Sequence, residues 1–359
     1  MMRSLLVGIL LVFVCMRGWA QTSTCAQTLR LAVSTYELGR LSEVPGILKD
    51  CLSKEGGANA FTKQERVTAL RILTLAYIYQ EEPEKADETM LLLLNTDHFF
   101  EINENVDPAE FTALYKTFRT KPIYSVGGKF GGNGSFPTPT KNFFIGSDAA
   151  SNGEYSTGYN IQIGGVFEKA LFEKKSGSRW TAAPEIMFLQ NKFSYANEQL
   201  TTNDATGESN ALLEADFSQT RIDLNLLVQY KLKDHYLNPY VSLGPAISYL
   251  LSASGQFQTQ FPTIGTAVTG PSIDLKDSFE SLDYALVASA GLKFKFGEVY
   301  LTADIRYKYG FANQIDEEAR TNPEAAFDFG TISNDFRQSN IMINLGFVYP
   351  YFNPKKLLR

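Results

Sequence analysis

LDYALVASAGLKFKF-GE-VYLTADIRYKYGF, residues 282–311, is the most regular segment of the sequence. Apolar and polar side chains alternate along both arms, and Gly297-Glu298 separates the arms. Successive side chains of a β-strand point to opposite faces, so each arm has one apolar face and one polar, partly charged face. Each arm is longer than the about 9–11 residues that a tilted strand needs to cross a bilayer. The segment therefore predicts a membrane-spanning hairpin whose apolar face contacts lipid.

Similar alternation elsewhere predicts an all-β membrane barrel of eight antiparallel, up-and-down strands over residues 123–352. The expected strands are 123–131, 157–170, 179–195, 218–232, 238–253, 283–296, 299–312 and 337–352. Long polar connections alternate with short turns; the long ones are 132–156, 196–217, 254–282 and 313–336. Outer-membrane barrels have short periplasmic turns and long outer loops, so this order puts both ends of the barrel in the periplasm.

The composition supports this class of protein and excludes others. Mean hydropathy is -0.15 and 13% of the residues are aromatic, which suits a barrel with a polar interior. After residue 20 the sequence has no uninterrupted apolar run of about 18 residues, which disfavours a bundle of transmembrane helices. The net charge of -6 gives no basic face, and we expect no nucleic-acid partner.

Residues 1–20 are typical of a secretory signal peptide. Arg3 supplies the positive start, residues 5–16 the apolar region, and Gly18-Trp19-Ala20 a small-x-small cleavage site. Cleavage leaves Cys25 and Cys51 in an oxidising compartment, where two facing helices could bring them together as a disulfide. Two free buried thiols are the alternative. No third cysteine and no histidine lies nearby, so we do not expect a metal site.

Residues 21–122 predict a small all-α periplasmic domain, because apolar residues recur there at helical spacing. The pair of helices expected at 62–79 and 83–94 resembles a tetratricopeptide repeat, and residues 25–53 resemble a degenerate first copy. Repeats of this kind normally need about three copies to be stable alone. We therefore expect support from the barrel, from the disulfide or from a partner. A helical plug or spacer is the alternative to a peptide-binding groove.

Two apolar stripes of this domain are candidates for partner docking, with core packing as the alternative for each residue. The candidates are Leu70, Leu73, Tyr77, Met90, Phe111 and Tyr115. Pro122 ends the helical pattern just before the first strand. So short a linker predicts a helical domain held close beneath the barrel mouth.

The polar face of the predicted strands places a set of charged residues inside the barrel. They are Lys129, Glu185, Arg221, Asp223, Lys293, Lys295, Asp304, Arg306 and Lys308. An eight-stranded barrel is just wide enough for side chains to fill its interior. Opposite charges there should pair and close the lumen, because an unpaired buried charge is costly. An ion path is the alternative; a general porin is disfavoured, since an aqueous channel needs about twice as many strands.

The sequence offers little for catalysis, and we expect neither an enzyme nor a cofactor. The chain has two histidines, His98 and His235, and neither lies near the expected outer mouth where a hydrolase would need one. The carboxylates at 316–318 lack the spacing of a calcium loop and predict a solvated acidic segment. Glycines at 127–132 belong to a small-residue strand and are not a phosphate-binding motif.

Two strands carry a family resemblance. PYVSLGPAISYLL at 239–251 and IMINLGFVYPYF at 341–352 resemble the small PorT-like and OmpX-like barrels of Bacteroidetes outer membranes. The junction from DPAEF at 107–111 to YSVGGK at 124–129 resembles members with a periplasmic helical extension. The resemblance implies envelope machinery, such as type 9 secretion and gliding or outer-membrane protein assembly. The tail at 353–359 departs from the pattern, because such barrels commonly end on an aromatic residue, here Phe352.

Three functions follow as hypotheses. The first is a non-enzymatic barrel, surrounded by outer-membrane lipids, that anchors a periplasmic helical domain as a subunit or scaffold of an envelope machine with protein partners. The second is a small channel or transporter. The third is a surface adhesion or ligand-binding barrel that acts through its long loops, above all 254–282 and 313–336. In each case we expect the helical domain and the tail to lie in the periplasm.

Overall fold

The computed structural model describes residues 24–54, 56–57, 59–143, 153–172, 178–200, 211–232, 237–261, 266–323, 325 and 331–357. The expected signal peptide at 1–20 lies outside the described residues. The chain divides into two compact units. The helical unit runs up to Lys121 and resumes at Phe352, and the barrel unit is Pro122–Tyr351. The tail that the sequence analysis separated from both domains thus belongs to the helical unit.

The described part of the helical unit contains five α-helices and a 3-10 turn at Leu41–Glu43. The helices are α1 (Thr24–Glu37), α2 (Val44–Leu52), α3 (Lys63–Tyr79), α4 (Pro83–Thr96) and α5 (Ala109–Tyr115). A capping box starts α3, where the Thr62 hydroxyl accepts from the Glu65 N–H and the Glu65 carboxylate accepts from the Thr62 N–H. Pro83 opens α4, at a position where the missing N–H has no helical partner to lose.

The middle helix α3 organises the core of the helical unit, because its side chains enter two apolar clusters. On one side Ala69, Ile72 and Leu73 pack with residues of α1 and α2. On the other side Leu70 and Leu75 pack with residues of α4 and α5. A disulfide between Cys25 and Cys51 joins α1 to α2, with the two Cα atoms 5.7 Å apart.

Nine strands occur in the described part of the barrel unit, all of them antiparallel to their neighbours. They are β1 (Tyr124–Lys141), β2 (Glu154–Leu171), β3 (Trp180–Leu200), β4 (Ala211–Lys231), β5 (Leu237–Phe261), β6 (Thr266–Asp274), β7 (Leu282–Phe296), β8 (Val299–Gly310) and β9 (Asp335–Tyr351). Eight of them, all except β6, form a closed ring, because β4 pairs with β5 and β1 pairs with β9. The predicted closed barrel is therefore present.

The expected loop at 254–282 is wrong in part. It contains the last residues of β5 and all of β6, which pair as a hairpin, followed by a 3-10 turn at Lys276–Ser278. Other strands also run further toward the long loops than predicted: β1 ends at Lys141 and β4 begins at Ala211. These extensions have polar outer faces, such as Ser254, Gln256 and Gln258 on β5, so the search for an apolar outer face missed them.

We call the end of the barrel with the short β2–β3, β4–β5 and β7–β8 connections the turn end, and the opposite end the loop end. Aromatic residues mark the limits of the apolar outer face at both ends. At the turn end Tyr124 stacks on Tyr351, with ring centroids 4.9 Å apart. At the loop end exposed aromatic residues include Tyr159, Tyr249, Tyr284 and Tyr309.

The apolar outer face has the height of a bilayer core. On β9 it runs from Ile341 to Tyr351, with every second side chain exposed and apolar. At about 3.4 Å per residue and a tilt of about 40°, this stretch rises about 26 Å. Membrane barrels have an apolar band about 25 Å tall, flanked by aromatic girdles.

The disulfide predicts a measurable dependence of the helical unit on oxidation. The two cysteines are 26 residues apart, and cross-linking a loop of that length should stabilise the fold by about 3–4 kcal/mol in the chain-entropy model. We expect Cys25→Ser/Cys51→Ser to lower the urea midpoint of the helical circular dichroism signal. The β-sheet signal serves as the internal control, since the barrel unit contains no cysteine. Equal midpoints for the oxidised wild type and the double variant would contradict this account.

Candidate functional site

Four charged residues meet across the middle of the lumen and form what we call the central tetrad. They are Lys129 on β1, Glu185 on β3, and Asp304 and Arg306 on β8, each at most 3% exposed. The Lys129 ammonium donates to Glu185 Oε1 at 2.8 Å and to Asp304 Oδ2 at 3.0 Å. The Arg306 guanidinium donates from Nε to Asp304 Oδ1 at 2.6 Å and from Nη2 to Glu185 Oε1 at 3.0 Å. Two cations and two carboxylates thus balance in one hydrogen-bonded group.

The order of the strands around the barrel explains how the tetrad forms. In the order of strands around the barrel, β2 lies between β1 and β3, and β9 lies between β1 and β8. Inward side chains from these strands therefore reach one another across the lumen instead of along a shared ladder. Neutral groups complete the network: Asn344 Nδ2 donates to Asp304 Oδ1 at 2.9 Å, and the Tyr240 hydroxyl donates to Asp304 Oδ2 at 3.2 Å. Buried carboxylates need such extra donors, because desolvation otherwise opposes the charge.

A second charged group lies nearer the loop end. Lys308 Nζ lies 2.5 Å from Asp223 Oδ2 and 2.5 Å from the Ser248 hydroxyl oxygen. The neighbouring Arg221 donates to the side-chain carbonyl oxygens of Gln314 at 2.8 Å and Gln219 at 3.2 Å. Neutral side-chain oxygens therefore hold the buried Arg221 guanidinium in position in the lumen.

A third pair lies nearer the turn end, where Lys293 Nζ donates to both carboxylate oxygens of Glu168 at 2.7 and 2.6 Å. The prediction for Lys295 is wrong, because this side chain is exposed. Lys295 shares the inward parity of Lys293, but it lies two residues before the Gly297 turn. At that rim the lumen no longer covers an inward side chain.

Sequence reasoning missed two inward carboxylates, Glu168 on β2 and Asp283 on β7, which are both buried. Their parity within the predicted strands would have identified them. With these two, five cationic and five carboxylate side chains are identified inside the described part of the barrel, and Lys231, half-buried at the turn end of β4 opposite Tyr240, is a sixth inward cation. The five cations are Lys129, Arg221, Lys293, Arg306 and Lys308, and the five carboxylates are Glu168, Glu185, Asp223, Asp283 and Asp304. These ten side chains thus carry equal numbers of positive and negative charges.

Aromatic side chains fill the loop end above these charges, and we call the group the aromatic cap. It contains Phe193, Tyr195, Phe257, Phe279 and Phe336. The rings of Phe193 and Phe336 lie 5.2 Å apart in an edge-on arrangement. At the same end Arg320 Nη1 donates to Asp335 Oδ1 at 2.6 Å. The cap gives the extended strands an apolar inner face at the level where their outer faces turn polar.

Two cavities among the described residues of the barrel unit are small. A cavity between the aromatic cap and described residues of the segment 320–334 measures about 20 Å³, and another beside Lys308 and Arg306 measures about 10 Å³. A cavity needs a volume of about 10–15 Å³ to hold one water molecule. Either cavity has room for about one or two waters, and neither is a passage for solutes.

The docking candidates of the helical unit are interior residues. Leu70, Met90 and Phe111 are at most 1% exposed, Leu73 and Tyr115 are also buried, and Tyr77 is half-buried. The Tyr115 hydroxyl donates to the Phe100 carbonyl at 2.8 Å, and burial raises the pKa of this phenol. Core packing, the alternative weighed for each residue, is what the structure shows. An exposed docking stripe made of these residues is therefore excluded.

Features tied to catalysis or metals are sparse in the described part of the chain. His98 lies in the helical unit, with Nδ1 2.9 Å from the Leu94 carbonyl oxygen; His235 lies outside the described residues. Among the described residues, no group of three or more His, Cys, Asp or Glu side chains could hold a metal ion. Nor does any described helix combine the length and apolar character needed to cross a membrane.

The tetrad predicts a strong dependence on Glu185. Glu185→Gln leaves Arg306 and Lys129 with only one carboxylate between them. Breaking a buried ion pair in this way costs about 3–5 kcal/mol. We expect the variant to unfold at clearly lower urea concentration in lipid vesicles, as followed by the β-sheet circular dichroism signal.

Two further variants test the cause. Glu214→Gln makes the same chemical change at an exposed carboxylate on β4 and should shift the free energy of unfolding by less than about 0.5 kcal/mol. Lys129→Met/Glu185→Gln removes one charge of each sign and leaves Asp304 paired with Arg306. The double variant should be less destabilised than the sum of the two single variants. Strict additivity would show that the four groups do not act as one network.

Comparisons with known proteins agree with this geometry. A family model described as "Outer membrane protein beta-barrel domain" matches residues 120–316, more than half of the chain. No curated protein matches the chain in sequence.

Three solved structures are similar at low identity. Neisserial surface protein A is 11% identical, with 66% of this chain and 97% of that chain covered and a TM-score of 0.28. The outer membrane protein OprG from Pseudomonas aeruginosa is 12% identical, with 65% and 98% covered and a TM-score of 0.30. Ail, the attachment invasion locus protein of Yersinia pestis, is 11% identical, with 63% and 99% covered and a TM-score of 0.25.

The family match covers the described strands from β1 through β8, together with the charged lumen that they enclose. The chain therefore belongs to the outer membrane protein beta-barrel domain family, and its barrel unit is a barrel of the bacterial outer membrane.

Proposed function

We propose that this protein is a non-enzymatic anchor of the outer membrane, whose closed barrel holds a periplasmic helical unit that binds other envelope proteins. The observation that carries the proposal is the filled lumen. The central tetrad spans the middle of the barrel, and the aromatic cap fills its loop end. A barrel filled in this way supplies attachment to the membrane and leaves the activity to the parts outside it.

The paired charges in the lumen argue against the channel hypothesis. An ion path through the barrel would have to separate Lys129 from Glu185 and Asp304, which hold it at 2.8 and 3.0 Å. Breaking such buried pairs is strongly unfavourable. The free volume beside Lys308 is about 10 Å³, which leaves no room for a hydrated ion.

The loop end gives less support to surface-ligand binding than the sequence suggested. Its described aromatic side chains pack against one another, as Phe193 does against Phe336 at 5.2 Å. The cavity that they line together with described residues of the segment 320–334 has a volume of about 20 Å³, and ligand pockets are typically about 300–1,000 Å³. Adhesion through the outer faces of the extended strands is the form of this hypothesis that is compatible with the packing.

The helical unit is the best candidate for contact with partners. Tyr124 pairs with Tyr351, so the chain enters and leaves the barrel at the turn end, which is periplasmic in outer-membrane barrels. With the core residues unavailable, the candidate contact residues are the exposed apolar side chains Leu31 on α1 and Leu92 on α4, 58% and 52% exposed. The resemblance to tetratricopeptide repeats and to PorT-like barrels favours a machine of protein secretion, gliding or outer-membrane protein assembly.

Reconstitution into planar bilayers tests the closed barrel. We expect no single-channel conductance from the wild-type protein at neutral pH. Glu185→Gln leaves the tetrad with surplus positive charge, and we expect this variant to show at most rare openings. Steady, unitary conductance from correctly folded wild-type protein would overturn the closed barrel and favour the small-channel hypothesis.

Affinity purification from native membranes in mild detergent tests the scaffold role. We expect one or more envelope proteins to co-purify in fixed stoichiometry, and Leu31→Glu/Leu92→Glu to release them while the barrel stays inserted. Ser34→Glu introduces the same charge on the exposed face of α1 and serves as the matched control. A protein that purifies alone, or partners retained by every variant, would argue against this role for the helical unit.

A further inference from the structure

The segment after the last strand lies on the surface of the helical unit as an extended peptide. Its backbone pairs antiparallel with residues 117–119 through an isolated bridge between Phe118 and Lys356. Two hydrogen bonds frame the bridge: the Arg119 N–H donates to the Lys355 carbonyl at 2.9 Å, and the Leu357 N–H donates to the Thr117 carbonyl at 2.8 Å. This is the geometry of a short strand added to the edge of another segment.

Side chains at both ends of this peptide make specific contacts. The Phe352 ring stacks on His98, with centroids 5.3 Å apart and planes 13° from parallel, and it meets the edge of Phe99 at 5.1 Å. Four residues later, the Lys356 ammonium pairs with Asp87 on α4. The helical unit thus recognises an aromatic ring, a short stretch of backbone and a cation at defined spacing.

The peptide is peripheral to the folded core. Neither apolar cluster of the helical unit includes a residue from 352–357. Lys355, Lys356 and Leu357 are exposed, and Phe352 is half-buried. The core formed around α3 is therefore complete without the peptide, and the contacts that hold the peptide resemble those of a bound ligand.

We propose that residues 352–357 are a peptide ligand bound in cis, occupying a groove of the helical unit lined by Asp87, His98, Phe99 and residues 117–119. The groove takes an extended segment with an aromatic residue followed four positions later by a lysine. Its occupant is the chain's own C-terminal tail, so release of the tail exposes a peptide-binding site. The groove and the scaffold role are independent, because the groove can be occupied whether or not another protein binds elsewhere on the unit.

Peptide binding in trans tests the groove. A variant that ends at Tyr351, reconstituted in detergent micelles, is titrated against a fluorescent peptide of sequence FNPKKLLR, residues 352–359. We expect saturable binding to the truncated protein and at least tenfold weaker binding to the full-length protein, whose own tail competes. Peptides with Phe352→Ala or Lys356→Glu should lose most of the affinity. A truncated protein with normal helical signal and intact disulfide that fails to bind FNPKKLLR would overturn the proposal.

A second measurement uses the full-length chain and does not depend on truncation. Pro354→Cys adds a thiol at a half-buried position of the tail, and its rate of reaction with a bulky maleimide reports release of the tail. Lys356→Glu or Asp87→Lys should each speed the reaction severalfold, and the two together should restore the slow rate by reversing the pair. Identical rates in all four proteins would show that the tail is not held by this groove.

Discussion

The barrel depends on the pairing of opposite charges inside it, above all in the central tetrad, where each cation contacts both carboxylates. Its strands place lipid-facing side chains on one face, so the alternate face must enter a lumen too narrow for bulk water. Cations and carboxylates from several strands occupy the described lumen, and the central tetrad joins four of them across strands that are not neighbours. Such contacts stabilise little compared with an apolar core, but removing one partner is costly. The network therefore fixes which strands face one another across the lumen, and its side chains also block the lumen.

The polarity of the strands inverts along their length, and this inversion locates the edge of the membrane. On β3 the outer side chains Ile186 and Phe188 are apolar where the inner Glu185 is charged. Further along the same strand the outer Lys192 and Ser194 are polar, and the inner Phe193 and Tyr195 enter the aromatic cap. Lipid surrounds the first part of the strand, and water surrounds the second. One continuous strand therefore has a polar core at one level and an apolar core at the next.

The same inversion explains what could be predicted from the sequence. At the turn end the strand limits are close to those observed, as for β7 and β8, because apolar outer faces and a Gly297 turn with φ of 60° mark them. At the loop end the last residues of β5 and all of β6 were missed, since polar outer residues look like a loop. Parity placed Lys129, Glu185 and Arg306 inside but could not say which charges meet, because partners lie on strands far apart in sequence. Helical spacing identified Leu70 and Met90 as a stripe, but a stripe does not tell a buried face from a docking face.

A closed lumen shifts the question of function to the parts of the chain outside the membrane. The helical unit has an apolar core complete within residues 29–118, a disulfide between α1 and α2, and a surface that already holds one extended peptide. That peptide follows directly on Tyr351, the last residue of the strand that closes the ring against β1. A chain that stops before Phe352 therefore lacks the ring that stacks on His98 and meets Phe99. Occupancy of the groove thus requires that the chain continue past β9, which gives residues 352–357 a role that the barrel fold itself does not require.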